Sequence, residues 1–364
     1  MTLRIGTDSS KFPGASDLGA IGMLRAASDI GLEGVFFRTA FELSPTLDPA
    51  ELADVAAAAF DLGLYLEVGV AKVNPFATPE APGIRALGDG DYLLGMERII
   101  RAVTAVGITE LWTATANYQF RIPGLRACDR FRTDVDWVDQ LRATSKVLDR
   151  LAPLLRDVGA HLNLETHEEI TSFEVVRLVE EAGPDAFGIT FDTANVLVRS
   201  EDPVAAARRV APYTRMTHVR DAAMHATEHG IGRFLAPVGS GVIDWHALLG
   251  TLDATGRDIS LSIEGVIGMS AEMTLFVDEP EWRASHADLA EEEFERVLEL
   301  TRRYEERARR GDRPDLAALR APIDDAGALD FIERSARELR LVLDQLATAT
   351  TTDTTTQPTE MSIR

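Results

Sequence analysis

Four side chains are of types and at spacings that could do chemistry together. They are Glu165 in Asn163-Leu164-Glu165-Thr166-His167, Asp192 in Thr190-Phe191-Asp192-Thr193, His218 in Met216-Thr217-His218-Val219-Arg220-Asp221, and Glu264 in Ser262-Ile263-Glu264-Gly265. Their separations are 27, 26 and 46 residues, and the first two are close to one strand-plus-helix unit. Any one of these groups alone reads as a salt-bridge partner in a loop. Each, however, interrupts an apolar run, where an unpaired carboxylate is costly to desolvate without a cation. Three carboxylates and one neutral imidazole form a hard, mostly oxygen donor set, which suits Mn²⁺, Mg²⁺ or Co²⁺. The single cysteine, Cys128, supplies no multi-thiolate zinc site and no internal disulfide.

Elements that would place these groups side by side are visible in the hydropathy pattern. Eight short apolar, β-branched runs, Leu3–Ser9, Gly34–Thr39, Tyr65–Ala71, Glu110–Ala116, His161–Thr166, Phe187–Thr193, Arg215–Arg220 and Ile259–Val266, alternate with segments of helical period. Among the latter are Pro49–Leu62, with Asp48 to cap it, and Ser172–Ala182, with Ser172 as cap and Gly183 beyond. The pattern predicts an α/β chain folded as a (β/α)8 TIM barrel with a C-terminal helical extension. In such a barrel chemistry sits at the C-terminal ends of the strands, where the four groups fall. The expected organisation is a catalytic barrel over 1–270, helices over 271–347, and a disordered Thr-rich tail over 348–364. Long loops are expected at Asn74–Asp91 and at Ala116–Asp134, the latter carrying Tyr118, Phe120, Arg121, Arg126, Arg130 and Arg132. The charged run Glu291–Arg310 reads as a solvated helix face or subunit contact.

The order Glu, Asp, His, Glu on the last four strands resembles the xylose-isomerase-like barrels. So do His218-Val219-Arg220-Asp221, in the place of a His-x-Lys-Asp segment, and Pro237-Val238-Gly239-Ser240-Gly241-Val242-Ile243-Asp244-Trp245, as a Gly-x-Gly-x-Ile-Asp-Trp stretch. The resemblance spans roughly Leu3 to Val266 and includes sugar isomerases, keto-sugar epimerases, inosose dehydratases and the catalytic subunits of C-glycoside deglycosidases. It implies that Glu165, Asp192, His218 and Glu264 bind the metal, with Mn²⁺ first among the candidates. Ketose 3-epimerases carry a His three residues after the metal-binding Asp, where this chain has Asn195, so the chain is most similar to the catalytic (alpha) subunit of a C-glycoside deglycosidase. That implies a small β-rich partner subunit and an oligomer.

A divalent ion that chelates a carbonyl oxygen and the neighbouring hydroxyl stabilises the enediolate formed when the carbon between them loses its proton. Returning the proton gives an isomerase or epimerase; expelling a β leaving group gives a lyase. In a 3-oxo-C-glycoside the ketone acidifies the C2 hydrogen and the aglycone on C1 is the β leaving group, so a carbon–carbon glycosidic bond becomes breakable. The expected catalytic set is His167, Glu165 and Glu264. His167 lies two residues past a ligand and is expected to act as the base at an unperturbed pKa near 6.5. A keto-sugar isomerase or epimerase is the alternative.

Weaker candidates are Arg38 and Glu67, for sugar hydroxyls or a buried ion pair, and Lys11, Lys72 and Asn117, where active-face loops begin. His225 and His229, four apart in Ala222–Gly230, read as a loop rather than a second metal site. A DNA-repair endonuclease shares the barrel, but the net charge of −22 argues against nucleic acid and against anionic membranes alike. The N-terminus has no apolar run of signal-peptide length, and the expected location is cytoplasmic.

Overall fold

The computed structural model describes residues 3–77, 81–119 and 121–354, the last six by their backbone. All eight expected strands form: β1 (Leu3–Asp8), β2 (Gly34–Phe37), β3 (Tyr65–Gly69), β4 (Glu110–Thr113), β5 (His161–Glu165), β6 (Phe187–Asp192), β7 (Thr214–Val219) and β10 (Ile259–Ile263). They close into a parallel barrel in the order β1-β10-β7-β6-β5-β4-β3-β2. Buried on both faces, the strands read as nearly continuous apolar runs, Phe187-Gly188-Ile189-Thr190-Phe191 being typical.

The surrounding helices begin where the sequence supplies caps. In α2 (Pro49–Asp61) the Asp48 carboxylate accepts from the backbone N–H groups of Ala50 and Glu51. In α6 (Ser172–Ala182) the cap is Thr171 rather than Ser172, because Glu174 completes a reciprocal capping box with it. The ring continues with α1 (Ala15–Asp29), α4 (Tyr92–Thr104), α5 (Trp137–Val158), α8 (Pro203–Val210) and α9 (Trp245–Asp253), while α3 (Pro82–Leu87) and α7 (Asn195–Val198) are short turns between them.

Two features go beyond the eightfold pattern. The stretch expected as a loop with His225 and His229 is a β-hairpin, β8 (Asp221–Thr227) and β9 (Gly230–Ala236), which β11 (Met273–Leu275) extends to a three-stranded antiparallel sheet. The chain also returns to the barrel after α10 (Pro280–Ala284), α11 (Glu291–Arg309) and α12 (Leu316–Leu319). The last helix, α13 (Asp325–Thr354), packs on α9, β1 and β10. Its Phe331, Ile332, Ala336, Leu339 and Val342 join the same buried cluster as the barrel strands. The helical segment after residue 270 therefore shares the barrel's core and covers the seam where the last strand meets the first. α13 also runs into the stretch read as a tail; residues 355–364 lie outside the described residues, as does Phe120.

Candidate metal centre

Strand register decides which side chains meet. Asp192 pairs with His218 across β6 and β7, and His218 with Ser262 across β7 and β10, so Glu264 follows at the same rim. Glu165 ends β5 beside them. Ligand atoms of Glu165, Asp192, His218 and Glu264 lie within 4.8 Å of one another, and all four residues are buried. His218 Nδ1 is 3.2 Å from Glu165 Oε1 and 3.6 Å from Glu264 Oε2.

Each group is fixed from behind. Asp192 Oδ1 accepts from the N–H groups of Ala194 and Asn195, both at 2.9 Å, which leaves Oδ2 facing Arg220. The Trp112 indole donates to Glu165 Oε2 at 2.9 Å. The His218 ring packs on Phe36 at a centroid distance of 4.7 Å. Arg38 reaches Glu264 Oε1 at 3.0 Å and Asp8 at 3.4 Å, and Arg220 stands 3.0 Å from Glu264 Oε2.

Burial and crowding drive the titration of this cluster. Burial pushes the Asp192 carboxyl up to about 6, against the pull of Arg220 and with a push from Glu165 and Glu264. Burial acts the same way on Glu264, but Arg220 and Arg38 outweigh it and hold that carboxyl well below its usual range. For His218 burial lowers the pKa, and Glu165 overcomes it and raises the value. Three carboxylates forced together beside cations are the setting a divalent ion relieves. Ligand distances of about 2.0–2.6 Å require donor atoms this close to one another. The residues present therefore fit a divalent metal.

Of the four, Glu264 lines a cavity of about 250 Å³ whose wall also includes Arg38, Arg220, His167, Glu168 and Tyr118. Lys11, Lys72 and Asn117 reach it as well. Glu67 does not; it is buried in the barrel interior, where it accepts from Ser262 Oγ at 3.0 Å and from Ser260, and burial raises its carboxyl to about 7. Arg38 and Glu67 thus form no ion pair with each other. Three of the four loop arginines are occupied in structure: Arg126 on Glu281, Arg130 on Glu174 and Arg132 on Asp134. His225 lies 3.3 Å from Glu305 of α11 and His229 beside Glu228, so the hairpin histidines share no site.

His167 departs from expectation in its protonation. Its Nδ1 is 2.8 Å from Glu168 Oε2 and is also paired with Glu169. Burial lowers the pKa, but Glu168, Glu169 and Glu165 outweigh it and raise the value well above the ordinary imidazole range. Its pKa is thus raised from the unperturbed value expected from sequence. Glu169 in turn accepts from the Ala116 N–H at 2.7 Å and from Thr115, tying the end of β5 to that of β4. Glu168 and Glu169 escaped the sequence reading, although a His-Glu-Glu run just past a strand end, on the active face, was a usable signal.

The motif after His218 also acquires a physical role. Asp221 Oδ2 accepts from the backbone N–H of Gly239 and Gly241, both at 3.0 Å, and from the Trp245 indole at 2.9 Å, while Oδ1 accepts from Ile243. A Cβ at position 241 would stand 2.2 Å from the Ala222 carbonyl oxygen, so only glycine lets that turn close over the carboxylate.

Residues 24–300 match the family described as xylose isomerase-like TIM barrel. The chain belongs to that family. Over 258 residues it is 24% identical to the 3-oxo-isoapionate decarboxylase of Pectobacterium atrosepticum, covering 70% of this chain and 80% of that protein. It is 32% identical over 103 residues, or 28% of its length, to the uncharacterized protein YihM of Escherichia coli, and the match spans only about a third (32%) of YihM. A structure of L-ribulose 3-epimerase superposes with a TM-score of 0.57 at 16% identity, covering 99% of this chain and all of the other, a likeness of fold. In this xylose isomerase-like barrel the acidic cluster could hold a divalent metal. No helix among the described residues is long and apolar enough to cross a membrane.

Proposed function

We propose that this chain is a divalent-metal-dependent carbon–carbon lyase acting on an oxidised sugar, with Glu165, Asp192, His218 and Glu264 as the ligands and Mn²⁺ as the ion. The observation that carries the reading is the convergence of those four buried groups within 4.8 Å, with Glu264 among them lining a cavity. When bound, the ion would supply Lewis-acid stabilisation of negative charge on the oxygen of the substrate's carbonyl.

The remaining work falls to the chain. His167, held by Glu168 and Glu169, is positioned at the cavity wall to carry the proton exchanged with the substrate carbon or leaving group. Arg38 and Arg220 brace Glu264 from two sides. Ile267 and Met269 leave an exposed apolar lip on the cavity rim, which suits an aromatic aglycone. The most specific form of the reading is thus β-elimination of the aglycone from a 3-oxo-C-glycoside, in an oligomer completed by a small β-rich subunit, in the cytoplasm.

The decarboxylase relative favours a second form, in which the bond broken joins a carboxylate to the carbon next to the ketone; both forms pass through an enolate of that ketone, which expels the aglycone to give an unsaturated ketone in the first and takes up a proton after loss of CO₂ in the second. Epimerisation is the weaker alternative, because Asn195 stands where ketose 3-epimerases place a histidine and is spent on Glu165, Arg220 and Arg233.

The test is incubation with a 3-oxo-C-glycoside, a 3-oxo sugar acid and a ketose in Mn²⁺, with and without the products of neighbouring genes. Release of aglycone or CO₂ supports the lyase. Exchange of the substrate's C–H with solvent deuterium and no release would establish the epimerase instead.

A further inference from the structure

Arg233 belongs to β9, outside the barrel, and its side chain is fully buried while contributing to the cavity wall. A buried guanidinium is costly unless carboxylates and hydrogen bonds compensate it. Here they do not. Among the described residues Nε and Nη1 of Arg233 have no hydrogen-bond partner. Nη2 makes a 3.4 Å contact with Asn195 Oδ1 and one of 2.8 Å with Met273 Sδ.

The carboxylates nearby are engaged by other groups: Glu264 by Arg38 and Arg220, Asp192 by Arg220, and Glu168 by His167. Burial, then the neighbouring Arg220 charge, pushes the Arg233 pKa down to about 10 despite the opposing pull of Glu168 and Asp192. The cavity wall also carries Lys11, Arg38, Lys72 and Arg220, against only Glu168 and Glu264 among the acids. This concentration of cations occurs in a chain of net charge −22, so it is a property of the site and not of the composition.

We propose that Arg233 receives a carboxylate carried by the substrate, so that the sugar handled at this site is a sugar acid. The inference rests on the reading of this cavity as the active site. It deepens the second form of that reading, the one whose substrate is a sugar acid, because it adds an anionic group that the metal cluster alone does not require. One uncompensated guanidinium matches one negative charge, which a carboxylate provides and a phosphate dianion exceeds.

The experiment is calorimetric binding of D-gluconate, D-glucitol and D-glucose 6-phosphate to the full chain in excess Mg²⁺, for wild type, Arg233→Lys and Arg233→Gln. The expected result is a preference of at least roughly tenfold for gluconate over glucitol in wild type, about the affinity one good charge pair adds. Arg233→Lys should keep most of that preference and Arg233→Gln lose it, with glucitol binding unchanged. Any affinity gluconate gains by chelating the ion is common to all three proteins, so the change in ratio reads Arg233 itself. Equal binding of gluconate and glucitol by wild type, a ratio unaltered in Arg233→Gln, or tighter binding of the phosphate would each overturn the proposal; the wild-type comparison stands even if a variant fails to fold. Mn²⁺ titration in the same calorimeter separates the two claims. A chain that binds Mn²⁺ but ignores the carboxylate refutes the anion site alone. One that prefers gluconate but binds no Mn²⁺ refutes the metal reading alone.

Discussion

The acidic floor, which meets the cavity through Glu264, and the cavity wall are built by different means. The floor, Glu165, Asp192, His218 and Glu264, comes from parallel strands whose register sets each side chain beside the next. The wall draws Arg233 and Leu235 from β9 and Met273 from β11, strands of an antiparallel sheet inserted between barrel elements. The floor crowds negative charge that cations must balance, whereas the wall buries a positive charge that has no carboxylate of its own among the described residues. A shared barrel can therefore keep one metal-binding floor while an inserted sheet sets what binds above it.

The sharpest way to break this division is at the floor. Replacing Glu165, Asp192, His218 or Glu264 by Ala should reduce turnover to background and remove bound metal while far-ultraviolet circular dichroism stays unchanged. A variant that kept its turnover would remove that residue from the ligand set. Next in size is His167→Ala, expected to lose turnover by roughly 10²–10⁴-fold, the range of a proton-transferring group, with metal content intact. Turnover equal to wild type, or loss of the metal, would take His167 out of that role.

How legible each region was in the sequence follows from the same division. The floor could be read because a parallel barrel repeats at the spacing of its ligands and places chemistry at strand ends. β8 and β9 were missed because Ala222–Gly230 shows no strict alternation: Ala222, Ala223 and Met224 are all buried by the helix and strands around them. The clue was Arg233, a charge within the otherwise apolar run Ile231–Ala236. His167 was found by position, but its pKa depends on Glu168 and Glu169 folding back onto it, a tertiary contact no spacing reveals.

Smaller effects sharpen the boundary between floor and wall. Asp221 joins the end of β7 to the turn carrying Gly239 and Gly241. Asp221→Ala should destabilise the fold by about 3 kcal/mol, since several buried N–H donors lose their acceptor, as read by urea denaturation; an unchanged midpoint would deny the link.

The smallest expected effect lies beneath the floor. Glu67 has a folded pKa of about 7, raised from 4.5 by burial. Its contribution to stability is therefore fully present below about pH 4.5 and is lost as pH rises through 7. Glu67→Gln should gain on wild type by roughly 1–3 kcal/mol between pH 5 and pH 9, at about 1.4 kcal/mol per pKa unit. A stability difference that stays constant between those two pH values would contradict it.

The central claim is that the four converging side chains are a metal centre, and the direct measurement is Mn²⁺ titration of metal-stripped full chain by calorimetry, beside Glu165→Gln. The account predicts one ion per chain in wild type and at least a hundredfold weaker binding in the variant, a loss of about 2.7 kcal/mol. Absence of stoichiometric binding in wild type, or equal binding in both proteins, would contradict it.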